Sequence, residues 1–482
     1  MRFLAVFCVF CCGLVVAQVE SLQIPASHPR LWWTPERLEA ARSWYAANPY
    51  TPAGDDYLGQ AFVYLMTGEA GRARAAINWA LGVRIDTSGT SSNDARWYGE
   101  AAILIFDWAH DRFTAGERAD FIRRWNGYLE GLRTKSWGGL GMPQNNYFWG
   151  YLRNELLWGM ASYDENPMAP GFLNYALNSR WRNSFLRHAA AAGRGGVPQE
   201  GTQYGRYLLG YAAVPLLTAG LMGRPVLDET EFFKAAVFYL IYGTTPAPTV
   251  LRGSGARRYE LFPANDDQFW RNGGSAEGEE YARFMTAAAA HWVGRAVSEF
   301  ARRWLNLTGA APARFVRAAD AGGPERDFHS LPLDYFAPGP QYLYGRSAWG
   351  EKATTFHVQF GPLEGTGHAH YDAGNWQIWR NGRWLSRETV GYSENLPGYA
   401  DNGVTPAGDS PMHNVILMNG RGLAYSPSNG GARLRRLESR PDYVYAAAEL
   451  TPVYRNHQIP SPRRDRDNPV VAHVEREFLF LR

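Results

Sequence analysis

GTGHAHYDAGNWQIWRNGRWLSRETVGY, residues 365–392, decides how the second half of the chain folds. Around Asn381-Gly382 it carries aromatic, β-branched and polar residues in near alternation. A period of two sends successive side chains to opposite faces of a strand. Asn-Gly between two such runs is a strong hairpin signal. TTFHVQFG (354–361) and HNVILMNG (413–420) have the same character, the latter closing on Asn419-Gly420, a weaker turn signal. These runs predict an antiparallel β-rich part. The sequence ends on VEREFLFLR (474–482) inside a strand-like pattern, so we expect a fragment whose sandwich is C-terminally incomplete.

Upstream the period changes. In FTAGERADFIRRWNGYLEGL (113–132), Thr114 and Glu117 have capping-box spacing, and Phe121, Trp125, Leu129 and Leu132 recur on one helical face. Comparable stretches surround Trp44, Ala61, Trp79, Ile105, Trp158, Leu186, Leu209, Phe238 and Trp292. About a dozen helices with short loops, and no strict repeat, predict helical hairpins closed into an α/α toroid. Ala, Pro, Gly and charge dominate 309–339, which reads as a linker. The expected organisation is a leader over 1–17, an α/α toroid over 18–325 and a β-sandwich over 326–482.

Composition sets outer bounds. At 482 residues, two domains are expected, and 45% apolar with 20% charged residues fits a folded globular chain. Net charge is +3, from 49 basic and 46 acidic residues, which excludes a strongly basic nucleic-acid binder but permits a local cationic cleft. Mean hydropathy is −0.36, and no apolar run of spanning length follows the N-terminus, so no membrane association is expected after processing. Residues 1–18, MRFLAVFCVFCCGLVVAQ, read as a secretory signal with Arg2 ahead of an apolar run and small residues near Ala17. The expectation is a secreted or periplasmic protein. Cys8, Cys11 and Cys12 all lie in that leader, so the mature chain would have no disulfide. An aromatic content of 14% fits both dense helix packing and sugar stacking.

Within the strand-rich part, His368 and His370 share a side if the segment is extended, and the Asn381-Gly382 hairpin returns Glu388 toward them. His413 opens the next run. Two imidazoles and a carboxylate suit a borderline metal, zinc above all, but ordinary hydrogen-bonded histidines have the same residue pattern. Asp372 is placed to orient a metal-bound histidine.

YGRSAWG (344–350), GHAHYDAGNWQIWRNGRWL, ETVGY and HNVILMNG, in this order and spacing, resemble the β-domain signature of heparinase II/III-like polysaccharide lyases, a group that includes alginate, heparin and chondroitin lyases. The likeness extends more loosely through SHPRLWWTPERLEAAR (27–42), NNYFWGYLRNELLWGMA (145–161) and EGTQYGRYLLGY (200–211). It implies a toroid followed by an antiparallel sandwich, and β-elimination on a uronate-containing anionic polysaccharide. It also implies His370, Glu388 and His413 as ligands of a structural zinc, with His368 in the cleft. The family more usually has Asp where Glu388 stands. No organic cofactor is implied.

Such elimination needs neutralisation of the uronate carboxylate, a base for the C5 proton and an acid for the departing O4. The resemblance puts the neutralising amide at Asn146, with Asn145 beside it; both also read as helix caps. Many relatives have a basic histidine at the next position, where this chain has Tyr147. The catalytic tyrosine matches Tyr204, with Tyr207 second, although Tyr204, Tyr207 and Tyr211 equally form a packing stripe. Glu200 would order the network or sit as a carboxylate at a helix start. Arg346 would hold a substrate carboxylate or sulfate, or make a surface salt bridge. Asn265, Asp266 and Asp267 read as a loop that caps a helix or lines the cleft. His110, His188, His291, His329, His357, His457 and His473 read as structural, and Asn306-Leu307-Thr308 is a glycosylation pattern. Two other readings stand beside the lyase: a catalytically inactive glycan-binding relative, and a toroidal glycoside hydrolase pairing Glu200 with Asp266.

Overall fold

A computed structural model describes residues 22–250, 255–265, 276–361, 368, 370–388, 408–423, 432–455, 468 and 470–482. The leader, Asp266, Asp267 and His457 lie outside them. Thirteen helices come first: α1 (Pro35–Ala47), α2 (Tyr57–Thr67), α3 (Ala70–Gly82), α4 (Asn93–Trp108), α5 (Ala115–Arg133), α6 (Asn146–Ala161), α7 (Ala169–Asn174), α8 (Leu186–Ala190), α9 (Gly201–Leu221), α10 (Phe232–Gly243), α11 (Ala276–His291), α12 (Ala296–Thr308) and α13 (Arg314–Ala318). A π-helical stretch, Tyr175–Phe185, joins α7 to α8.

The helices close a ring. α2 packs on α4, α4 on α6, α6 on α9, α9 on α11, and α11 on α13, which returns to α1 and α2. At the centre of this ring α6 is buried all round: every residue except Tyr147 is buried, Asn146, Arg153, Asn154 and Glu155 included. Outer helices carry one apolar stripe. In α5 that stripe is Phe121, Trp125, Leu129 and Leu132, and the Thr114–Glu117 capping box forms as expected.

A two-stranded ribbon, β1 (Thr249–Val250) with β2 (Arg257–Arg258), interrupts the helices. The sandwich then has two antiparallel sheets. The first is a meander of β3 (Asp334–Ala337), β4 (Tyr342–Arg346), β5 (Thr355–Gln359), β6 (Trp376–Arg380) and β7 (Arg383–Ser386). The second has β9 (Tyr443–Glu449) between β8 (Arg433–Ser439) and β10 (Glu475–Leu481). Asn381 and Gly382 have φ of 51° and 76°, the positive pair a two-residue hairpin demands, and join β6 to β7.

Strands β4 and β5 of the first sheet are buried on both faces because alternate residues serve different cores. Leu343, Phe356 and Val358 pack with Val444, Ala446 and Phe480 of the second sheet. Tyr342, Tyr344 and Trp379 join the aromatic core of the helices. Gly201 fixes a close approach at the start of α9: its φ is +83°, and a Cβ there would lie 2.2 Å from Ala264 O, in the segment after the β1–β2 ribbon.

Two expectations need correction. The 309–339 segment holds α13, a 3-10 turn at Phe328–Ser330 and β3, because Phe315, Val316 and Ala337 bury against the helices. HNVILMNG is not a strand. The backbone amide of Asn414 binds Asn375 Oδ1 at 3.1 Å and its side-chain amide reaches Trp376 O at 2.9 Å, so side chains replace a ladder. The pairing found there is an isolated bridge, Met418 to Arg421, around the Asn419-Gly420 turn. No helix among the described residues is long and apolar enough to cross a membrane.

Candidate active site and metal centre

Two helix starts and one sheet loop meet at Glu200. This residue precedes α9, and its carboxylate lies against the N-terminus of α6. Asn145 caps α6 with Oδ1 accepting from the Tyr147 amide at 2.9 Å, while its Nδ2 donates to Glu200 Oε1 at 2.7 Å. The backbone and side-chain amides of Asn146 both donate to Glu200 Oε2, at 2.7 and 2.9 Å. Asn145 therefore caps α6 and binds Glu200 at once. Three N–H donors and a helix N-terminus favour an anion at this point. Burial nevertheless pushes the Glu200 carboxyl up, against His368 and the Asn146 amides, which pull it down.

His368 comes from the sheet side, its Nε2 4.0 Å from Glu200 Oε1. Its ring stacks on Tyr204 of α9, with centroids 3.8 Å apart and planes inclined by 14°. Tyr207, one helical turn on, meets Tyr204 edge-to-face and receives a hydrogen bond from Arg206 at 2.8 Å on its hydroxyl. Tyr211 packs behind Tyr207 and is buried, its phenol lifted to about 12 by that burial. The stripe of three tyrosines thus runs from half-buried Tyr204 and Tyr207 to buried Tyr211.

Arg96, on α4, was not singled out by the sequence. Its Nη1 binds Asn146 Oδ1, and its Nη2 donates to Asn93 Oδ1 at 2.8 Å. The guanidinium lies 4.2 Å from the Tyr147 ring centroid and 5.6 Å from that of Tyr207. Asn146 is held from both sides, its oxygen by Arg96 and its nitrogen by Glu200. Asn93 and Arg96 are three apart, so they share a helix face, but nothing in the sequence linked that face to Asn146 some fifty residues later. Tyr147 turns its hydroxyl to Asn93 Oδ1 at 2.9 Å.

Beside this group lies a buried cluster of His370, Asp372, Glu388 and His413, with ligand atoms within 4.8 Å of one another. Glu388 Oε1 is 2.7 Å from His413 Nδ1 and 3.7 Å from His370 Nδ1. Burial lifts the Asp372 carboxyl, and Glu388 adds to that. Burial acts upward on Glu388 too, but His413 and His370 outweigh it and hold that carboxyl low. Asp372 Oδ1, Glu388 Oε2 and His413 Nε2 are buried without a hydrogen-bond partner. Each such atom costs about 1–3 kcal/mol unless satisfied. Two imidazoles and two carboxylates with unsatisfied atoms fit a cation, so this group could bind a metal.

Arg346 lies apart from both groups. It is buried under the last turn of α10, its Nη2 donating to Tyr242 O at 3.2 Å, with Trp349 against its face. Of the histidines read as structural, His357 is fully buried, stacked on Tyr344 and hydrogen-bonded to Gln377.

Searched by sequence, the chain matches no family model and no curated protein. Its fold is similar to that of solved lyases. A mutant of the heparan sulfate lyase HepC from Pedobacter heparinus superposes with a TM-score of 0.51 at 16% identity, over 88% of this chain and 60% of that one. Heparinase III superposes with a TM-score of 0.51 at 12% identity, over 89% of this chain and 69% of that one. The fold is that of the heparinase lyases. In the heparinase-type fold of this chain, Glu200 and Tyr204 belong to the helical ring and His368 to the sheet side. The chain spans 60% of the length of the HepC lyase.

Proposed function

We propose that the protein is a polysaccharide lyase that cleaves a uronate-containing anionic polysaccharide by β-elimination. The observation that carries this reading is the stack of Tyr204 on His368 beside Asn146 and Glu200. Asn146, held by Arg96 and Glu200, is assigned to the uronate carboxylate, where its amide and the nearby guanidinium oppose the charge that develops on C5 deprotonation. Tyr204, as the phenolate, takes the C5 proton; the C–H electrons form the C4–C5 double bond as the C4–O4 bond breaks. The phenol then returns that proton to O4. His368 holds the Tyr204 ring and offers its imidazole to the same proton path. Tyr147, Asn145, Glu200 and Tyr207 line and order the cleft.

Zinc is assigned to His370, Glu388 and His413, with Asp372 completing the set; the ion would tie the His368 loop to β7 and the turn after Ser410–Met412. That role is structural. The apolar leader and a polymer substrate support a periplasmic or secreted location.

Incubation with alginate, heparan sulfate, chondroitin sulfate and hyaluronan, read by ultraviolet absorbance of the unsaturated uronate, tests the reading. A rise with at least one polymer, lost in Tyr204→Phe, is expected. Binding without any rise would favour the glycan-binding alternative, and saturated reducing ends would favour a hydrolase.

A further inference from the structure

Strand β4 ends on a guanidinium that lacks the partner its burial calls for. Arg346 is 3% exposed and meets no carboxylate among the described residues. Its Nη2 reaches Tyr242 O at 3.2 Å and, weakly, Ile241 O at 3.5 Å, both in the last turn of α10. Its Nε has no hydrogen-bond partner. The other deeply buried arginines are different: Arg30 faces Asp164, Arg153 faces Glu100 and Arg180 faces Glu155. A buried charge left without a counter-charge is costly, and a helix C-terminus offsets only part of it. Burial draws the guanidinium down to about 9, with Tyr242 opposing, so it stays cationic at neutral pH.

Arg346 lines a cavity of about 150 Å³ at the seam between helices and sheet. Thr245, Arg303, His329 and Trp349 share its wall, and none of the Glu200 or His370 groups does. Two carboxylates also line it, Asp327, which accepts from the His329 amide at 2.8 Å, and the exposed Glu351, and Arg303 already faces Glu325 at 3.6 Å. Trp349 lies flat against the guanidinium at 3.7 Å and leaves its edge for hydrogen bonding. We propose that this cavity is an oxyanion site, separate from the Glu200 group, in which Arg346 holds a sulfate or carboxylate group, free or carried by a sugar. A planar fork of N–H donors matches two oxygens of such a group. The site does not depend on the lyase reading.

Thermal unfolding of the full chain tests it, with sodium sulfate titrated against sodium chloride at equal ionic strength. The expected result is a saturable rise in Tm with sulfate, on top of the non-saturating gain that excluded salts give any protein. N-acetylglucosamine 6-sulfate and glucuronate distinguish the sources: saturation at lower concentration than inorganic sulfate assigns a glycan subsite, and saturation with sulfate alone assigns a free anion. No saturable rise with any of the three overturns the proposal. Arg346→Met should abolish the rise, and a folded variant that keeps it also overturns the proposal. Wild-type crystals soaked in selenate give a reading independent of the variant's folding. An anomalous peak beside Arg346 supports the site, and its absence there rejects it.

Discussion

At the scale of single residues, the cleft is a set of mutual restraints. Tyr204→Phe and His368→Ala should each lower turnover by about 10²–10⁴, the usual value of one proton-transfer partner; initial rates of unsaturated product check this, and a loss of less than tenfold in both would reject the assigned roles. Arg96→Met leaves the Asn146 oxygen unheld. We expect kcat/KM to fall about tenfold to a hundredfold with the pH profile unchanged, since Arg96 positions an amide rather than moving a proton. Glu200 makes a prediction about stability. Its carboxyl is raised by burial, so the folded protein binds this proton more tightly than the unfolded chain. Stability from this group is therefore lost as pH rises from about 4.3 through the raised folded value. Glu200→Gln should gain stability relative to the wild type across that window. Urea unfolding of both proteins at acid and neutral pH checks the sign, and a difference independent of pH counts against it.

At the scale of elements, legibility followed locality. The Thr114 box and the Asn381-Gly382 hairpin are each decided within a few residues, and both formed as read. The expected β-strand after His413 failed because Asn375 and Asn414 intercept its backbone groups, an interaction between segments that periodicity does not encode. Arg96 was missed for the same reason, as was the oversized turn at Tyr175–Phe185, whose residues look like any amphipathic helix. Spacing alone left His370, Glu388 and His413 open between a metal site and plain hydrogen bonding. Burial with unsatisfied atoms is what turns the balance toward a cation. Dialysis against a chelator should lower Tm, and added zinc should restore it. Elemental analysis should find stoichiometric zinc in the wild type and less in His413→Ala. Identical zinc content in both would remove His413 from the ligand set.

At the scale of the whole molecule, one aromatic core runs from Trp32, ahead of α1, and Trp108 of α4 through Tyr344 and Trp379 in the sheet. Polar ties cross the same seam: Tyr335 OH donates to Gly195 O at 2.8 Å, and Gln377 Nε2 to Pro263 O at 2.7 Å. Parts that share a core gain their burial together. Heating should therefore give a single transition, coincident by far- and near-ultraviolet circular dichroism, and two resolved melts would mean that the seam is weaker than its contacts imply. The Tyr204–His368 stack spans that seam, and it has a bearing on ancestry and engineering. On the proposed mechanism neither half is chemically sufficient: the ring brings amide, carboxylate and phenol, and the sheet brings imidazole. A ring grafted onto a foreign sandwich would stay silent until the two rings came back into register, so gain and loss of activity in such chimaeras should track ångström-scale docking at one aromatic pair more closely than overall sequence similarity.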